Sequence, residues 1–335
     1  MKGINLDFLS AEDIQAVISI DDVLKTTENT YRLLTGDRIT CPTKTSMPLP
    51  GNNEKDMNWI NSMPALLKDE NIAGLKWVNV TSRNRQRQLP VTVGTIILND
   101  AETALPVAIM DGTWITHIRT GASVAIGAKY LARKNSKVLC IIGAGSEGRS
   151  AFDSLTRVFD LEKVNIVDIN TVASNNFVAE KSVNNNIKFS VFTDAQKAVK
   201  DADMIILTTT SRTPIVKFEW AKPGDFICTI SCFTDLDSRF VKGSNKLVVD
   251  THCSISRISA MSGLQVSNED IYAEIGQIVT GEKIGRDNDK EIIIYAPAGT
   301  GAVDVAIAAL AWQRAKKQNL SKPLSLVGDL ANLAR

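Results

Sequence analysis

Residues 143–148, Gly-Ala-Gly-Ser-Glu-Gly, follow the apolar run Val138 to Ile142 and precede a stretch with Ala151, Leu155 and Val158 at helical spacing. A GxGxxG set between a strand and a helix leaves few folds open. The first glycine permits a tight turn, the second lets backbone amides approach a pyrophosphate, and the third lets helix and strand pack closely. The helix N-terminus adds partial positive charge. Gly143, Ala144, Gly145, Ser146, Glu147 and Gly148 are therefore expected to hold a dinucleotide. Asp168 ends the next apolar run about 20 residues beyond the last glycine, where a carboxylate accepts hydrogen bonds from the adenosine ribose. Asp168 would repel a 2′-phosphate, and Ile169 and Asn170 supply no arginine to bind one. The expected cofactor is NAD rather than NADP.

Around this motif, short apolar runs at 138–142, 164–167, 189–192, 204–208, 226–230, 247–249 and 292–295 alternate with helical stretches. That rhythm predicts βαβ units and a Rossmann-type, doubly wound parallel sheet. A helix is expected from Ala122 to Arg133. The opening third reads differently. Ser10 with Asp13 has the form of a capping box, and Val23, Leu24, Tyr31 and Leu34 share a helical face before Gly36. Pro42, Pro48 and Pro50 keep residues 40–50 extended or looped. Runs beginning at Ile72, Val91 and Pro106 read as strands, the last two joined by a hairpin turn at 99–103. A final helix, about 301–318, is long enough to return to this opening α+β domain. The expected division is 1–118 with 312–335 for the discontinuous domain and 119–311 for the nucleotide domain.

Basic and acidic residues number 38 and 37, giving a formal charge of +1, so nothing calls for a nucleic-acid partner. The five cysteines form no C-x-x-C pair, and only two histidines accompany them, so no metal site is expected. No run approaches the ~18 uncharged apolar residues of a membrane span. The expected setting is reducing and cytoplasmic. Cys140 and Cys228 fall in strands and read as core residues. His117 reads as an interdomain hydrogen-bonding group or a substrate contact, and Arg83, Arg85 and Arg87 as a solvated face or the partner of extra substrate carboxylates.

Lys76 stands in a run otherwise suited to a core, and Arg119 precedes Thr120-Gly121-Ala122 where the nucleotide domain begins. Two such cations would suit a substrate carboxylate, Arg as a fork and Lys as a point charge. Spacing alone leaves open that both are surface charges. The surrounding motifs, however, run nearly end to end: Pro42-Thr43-Lys44-Thr45, Met63-Pro64-Ala65, Gly74-Leu75-Lys76, Ile97-Leu98-Asn99-Asp100, Arg119-Thr120-Gly121-Ala122, Gly143-Ala144-Gly145, Ala273-Glu274-Ile275-Gly276, Gly285-Arg286, and Gly299 with Asp304. In that order they resemble the ornithine cyclodeaminase/mu-crystallin family. The resemblance implies a homodimer built through the opening domain, NAD on the second domain, and an amino acid or its imine held between them. It also implies that Lys76 and Arg119 bind the substrate carboxylate, with Lys44 standing where the family usually has an arginine. Thr120, Thr208, Ser231 and Gly299 are expected to complete the cofactor site.

Members that cyclise ornithine carry an acid after the strand ending near Ile230, a place occupied here by Phe233. Asp235 lies close enough to be expected as the catalytic carboxylate, with Lys76 as acid or base if burial lowers its pKa. Trp77, Ile230-Ser231 and 296–299 look more like the branch containing N-(2-amino-2-carboxyethyl)-L-glutamate dehydrogenase, which serves 2,3-diaminopropionate formation. The leading expectation is thus a NAD-dependent oxidoreductase that converts a C–N bond through an imine to a 2-oxo acid. The alternatives are a cyclodeaminase with catalytic NAD and a non-catalytic binding protein of the mu-crystallin kind.

Overall fold

The computed structural model describes residues 3–50, 57–183 and 185–328. The chain divides into a first unit, up to Arg119 and again from Thr300, and a second unit, Thr120–Gly299. The second crossing falls earlier than the expected 311/312. The reason is local: Thr300 caps the helix Gly301–Lys317, and this helix belongs whole to the first unit.

In the first unit, strands β1 (Ile4–Leu9), β2 (Ile39–Thr40), β3 (Thr45–Pro48), β4 (Asn58–Leu67), β5 (Ile72–Thr81), β6 (Thr92–Asp100) and β7 (Pro106–Asp111) form one sheet with a C-terminal strand, Lys322–Val327. That last strand lies at one edge beside β1, followed by β7, β6, β5, β4 and β2, with β3 also on β4. The expected hairpin joins β6 and β7, and Ser10 and Ser19 both cap helices through capping boxes. The strands β1 and β4 were not expected. Pro64 argues against a strand at β4, yet β3 pairs with Trp59 to Ser62 and β2 with Leu66 and Leu67. Pro64 sits in the gap between them, where no ladder on that side needs its missing N–H.

The helix Gly301–Lys317 covers the inner face of this sheet with alanines, among them Ala302, Ala308, Ala309 and Ala311. Small side chains let helix and sheet approach closely. A Cβ at Gly74 on β5 would meet Val305 at 2.8 Å. The outer face stays apolar. Pro64, Leu75, Ile97 and Ile109 form a cross-strand row through β4 to β7, and Trp77 beside them is 44% exposed.

In the second unit, β8 (Val138–Ile142), β9 (Lys163–Val167), β10 (Lys188–Phe192), β11 (Met204–Leu207), β12 (Phe226–Thr229), β13 (Lys246–Val249), β14 (Ala273–Glu274) and β15 (Ile293–Ala296) are all parallel, in the order β10-β9-β8-β11-β12-β15-β13-β14. Cys140, Ile142, Ile205, Leu207, Ile227, Val249 and Ile294 pack on one face with Ala198, Val199, Phe240 and Ile258. The alternate residues Leu139, Ile141, Ile206, Cys228 and Tyr295 are buried as well, as a sheet covered on both faces requires. This is the doubly wound Rossmann-type fold. The helix expected from Ala122 begins earlier, at Thr113, because the Asp111 carboxylate accepts the backbone N–H groups of Thr113 and Trp114. Arg119 therefore lies within this helix. No helix among the described residues is long and apolar enough to cross a membrane.

Candidate functional site

The glycine loop runs from the end of β8 into the helix Ser146–Leu155. Gly143 adopts φ +107°, a region closed to most side chains, and its N–H donates to the Val167 carbonyl of the neighbouring strand. A Cβ on Gly148 would stand 2.2 Å from the Gly143 carbonyl oxygen, so the third glycine is needed for closure of the turn. Gly145 is different: a Cβ there meets nothing within 4 Å. Gly145 is also the N-cap of the helix and offers no side chain to the first-turn amides. Open space in front of the first-turn amides at a helix N-terminus is what a pyrophosphate requires. The loop fits a dinucleotide.

Asp168 follows β9 and faces the same loop. Its Oδ2 accepts the Ala144 N–H at 2.8 Å and its Oδ1 accepts that of Asn170 at 2.8 Å. Each oxygen keeps a lone pair for a ribose hydroxyl. Ala144, expected to face the phosphates, instead spends its amide on Asp168 and is buried. The Asn170 side chain caps the helix Thr171–Lys181 through Val172 and Ala173. Thr208 braces the turn by donating its hydroxyl to the Gly143 carbonyl at 2.8 Å. Arg149, not expected from sequence, donates to the Ala144 and Gly145 carbonyls, pairs with Glu180 at 2.7 Å and lies over the Phe177 ring. It clamps the loop from behind.

Asp235 is not placed as a catalytic carboxylate. It is fully buried, and it accepts hydroxyls from Thr209 at 2.7 Å, Thr229 at 2.9 Å and Ser231. Burial pushes its carboxyl above the ordinary range, and the three hydroxyls pull against that rise. It ties together the segments that follow β11 and β12, so its role is that of an anchor. Ser231 spends its hydroxyl on this anchor, and the Gly299 N–H donates to Asp250 at 2.7 Å. Thr120 is buried within its helix. Phe233 is buried with φ +66°, directly after Cys232 at φ +59°. The other nearby acid, Asp237, is held down to about 2 by the Arg239 guanidinium on the surface.

A second constellation lies in the first unit. Lys76 on β5 is fully enclosed, and its Nζ stands 2.7 Å from Asp304 Oδ1. The same oxygen accepts Arg119 Nε at 3.0 Å, with the Arg119 side chain 12% exposed. Lys44 lies in the crossing between β2 and β3, over the stretch of β4 whose Met63 is in register with Lys76. Its charge reaches Lys76. Burial first, then Arg119 and Lys44, pull the Lys76 ammonium down to about 7 against the opposing attraction of Asp304. Neither Lys76 Nζ nor Asp304 Oδ2 has a hydrogen-bond partner of good geometry, although both are buried. Lys76 Nζ keeps its ion pair with Asp304 Oδ1, so the acceptor left unpaired in this buried cluster is Asp304 Oδ2. The arrangement can neutralise an anion and exchange a proton near neutral pH.

The four residues Lys44, Lys76, Arg119 and Asp304 are thus brought together, but sequence reasoning gave Asp304 no role. The available signal was a lone acid inside the apolar run 301–311. Arg83, Arg85 and Arg87 form a separate short 3₁₀ turn, Ser82–Arg87, with Arg85 and Arg87 exposed. His117 lies on the helix Thr113–Leu131, and Cys140 and Cys228 are core residues. Among the described residues, no group of three or more His, Cys, Asp or Glu is placed to hold a metal.

Comparison with known proteins adds the following. The profile of the ornithine cyclodeaminase/mu-crystallin family matches residues 5–319. N-((2S)-2-amino-2-carboxyethyl)-L-glutamate dehydrogenase of Staphylococcus aureus (strain NCTC 8325 / PS 47) is 34% identical over 280 residues, 80% of this chain and 82% of that protein. The structure of Thermococcus litoralis Delta(1)-pyrroline-2-carboxylate reductase in complex with NADH and L-proline is similar at a TM-score of 0.86 and 31% identity, covering 95% of this chain and 99% of that one. An archaeal alanine dehydrogenase dimer with bound NAD gives a TM-score of 0.87 at 32% identity, covering 96% and 100%.

Proposed function

This chain belongs to the ornithine cyclodeaminase/mu-crystallin family, and we propose that it is a NAD-dependent oxidoreductase acting on the C–N bond of an amino acid or N-substituted amino acid. The observation that carries this reading is the sealed Lys76–Asp304–Arg119 cluster. A glycine loop serves any dinucleotide enzyme, whereas this cluster specifies an anion together with a proton carrier. The three relatives named above act, by their names, as dehydrogenases or a reductase at such bonds. When bound, the nicotinamide accepts a hydride from Cα or returns it. The residues Gly145, Ser146 and Glu147 present the helix N-terminus to the pyrophosphate, and Asp168 receives the adenosine ribose. Arg119 and Lys76 hold the substrate carboxylate, which fixes the orientation of Cα. Lys76, poised near 7, takes the amine proton in oxidation and gives it back in imine reduction.

A cyclodeaminase is disfavoured by Phe233, which by the resemblance stands where cyclising members carry an acid and which is a buried ring here. The resemblance to the N-(2-amino-2-carboxyethyl)-L-glutamate dehydrogenase branch favours a substrate bearing more than one carboxylate and a place in 2,3-diaminopropionate biosynthesis. The apolar row on the outer face of the first sheet supports a homodimer through that face, as does the dimeric archaeal relative. The test is incubation of purified protein with NAD and L-alanine, L-proline or N-(2-amino-2-carboxyethyl)-L-glutamate, following NADH by absorbance and product by mass. One NADH per 2-oxo acid or imine is expected. Ammonia release with no net NADH would replace this reading with the cyclodeaminase.

A further inference from the structure

The loop that follows β11 carries a cation that neither the fold nor the anion cluster uses. Thr208 continues β11 and lies against the dinucleotide loop: its N–H donates to the Ile142 carbonyl at 2.9 Å and its hydroxyl to the Gly143 carbonyl at 2.8 Å. From there residues 209–215 form an arch with both feet on Asp235. The Asp235 carboxylate accepts the Thr209 hydroxyl at 2.7 Å, and the Asp235 backbone carbonyl accepts the Ile215 N–H at 2.8 Å. Within the arch, the Ser211 N–H donates to the Thr209 hydroxyl at 3.2 Å, and the Ser211 hydroxyl donates to the Thr213 carbonyl at 2.7 Å. Arg212 is the middle residue. Its Nε is buried without a hydrogen-bond partner, and among the described residues the side chain makes no ion pair and no ring contact.

A buried guanidinium N–H is costly to leave unmatched, so Arg212 calls for an anion. The sheet decides which. β11 lies beside β8 on the side away from β9, so the strand order reverses between β8 and β11, and in such sheets ligands bind outside the carboxyl ends at that reversal. With the adenosine ribose at Asp168, after β9, the pyrophosphate falls over the glycine loop and the nicotinamide toward β11. Charge points the same way. Asp168 and Glu147 bring negative charge to the loop, while Arg149, the one basic residue of the helix Ser146–Leu155, is committed to Glu180 and to the Ala144 and Gly145 carbonyls. Resting on the reading of residues 143–148 as the dinucleotide loop, we propose that Arg212 binds the cofactor's pyrophosphate from the β11 side, through the phosphate nearer the nicotinamide. A planar guanidinium takes two phosphate oxygens at once. It adds a full positive charge to the partial charges of the loop amides. Because Asp235 pins both feet of the arch, the fork is held near its place before the cofactor arrives, which lowers the cost of ordering it.

The test is equilibrium binding to the full chain, by fluorescence for NADH and by calorimetry for ADP-ribose and 5′-AMP. In Arg212→Gln, affinity for NADH and ADP-ribose should fall about 10- to 100-fold, as expected for one charge-assisted pair, while 5′-AMP, which lacks the second phosphate, changes by less than about twofold. Arg212→Lys keeps the charge without the fork and should recover part of the loss. Added salt should weaken NADH binding more in the parent than in Arg212→Gln. Unchanged NADH and ADP-ribose affinity in folded Arg212→Gln overturns the assignment, and a raised substrate KM beside it would give Arg212 to a substrate carboxylate instead. Equal losses for ADP-ribose and 5′-AMP overturn its place on the nicotinamide side. If Arg212→Gln does not fold, parental NADH affinity in Arg212→Lys overturns the assignment in its stead. A parent that binds neither NADH nor ADP-ribose overturns the inference and the dinucleotide reading together. The stated losses in a protein that converts no amino or imino acid retire the proposed reaction and leave Arg212 in its place.

Discussion

The two units make their sites by different means. In the second unit the dinucleotide loop is drawn by the backbone: Gly143 turns, Gly148 closes and Gly145 stays open, all within six consecutive residues. In the first unit the anion cluster is drawn by side chains from four separate parts of the chain, and Arg119 and Asp304 stand 185 positions apart. A backbone site is rigid and selective for shape. A side-chain site is adjustable, and its chemistry depends on every charge in it.

This contrast is sharpest at Gly145. Because its missing Cβ leaves only open space, Gly145→Val should abolish cofactor binding, with NADH affinity reduced at least ~100-fold, while circular dichroism and the melting temperature stay near those of the parent. Retained NADH affinity would show that the loop is a turn and nothing more. At the other site, Arg119→Ala leaves a buried carboxylate poorly compensated, at a cost on the order of 2 to 5 kcal/mol. That corresponds to a loss of roughly 30-fold or more in kcat/KM, with NADH binding unchanged. Equal losses in both quantities would erase the separation between the units. Asp168→Ala should have a smaller effect, weakening NADH about tenfold and narrowing the preference over NADPH, since one hydrogen-bonded ribose contact and the Ala144 brace are lost together. Tighter NADPH than NADH binding in the parent would remove Asp168 from the selectivity argument. Trp77→Glu on the outer sheet face should leave the isolated fold within about 1 kcal/mol of the parent and shift the protein toward monomer in sedimentation. An unchanged dimer would place the interface elsewhere.

The same contrast explains what the sequence disclosed. The parallel sheet was legible because each strand is a short apolar run followed by a helix, and the loop because its residues are contiguous. Asp304 was legible only as a motif residue, and its role stayed hidden because its partners lie far away in sequence. Asp235 was misread for a related reason. It follows a strand near a cofactor loop, which suits catalysis, but Thr209, Thr229 and Ser231 close over it from neighbouring strand ends. Only the order of β11 beside β12 makes that enclosure visible. The missed strand β4 carries a proline whose tolerance depends on which neighbour is absent, and no local pattern encodes an absent neighbour.

The turn at Cys232 and Phe233 sets a constraint on which residues can replace them. Two successive non-glycine residues in the left-handed region are held there, a conformation that asparagine and aspartate tolerate better than phenylalanine. The backbone at 233 is thus already shaped for an acid, while the packing around it is shaped for a ring. A lineage exchanging one for the other would keep the path of the chain and lose part of its core in the same step. An exchange of Phe233 for aspartate therefore calls for paired changes, the second refilling the space vacated by the ring.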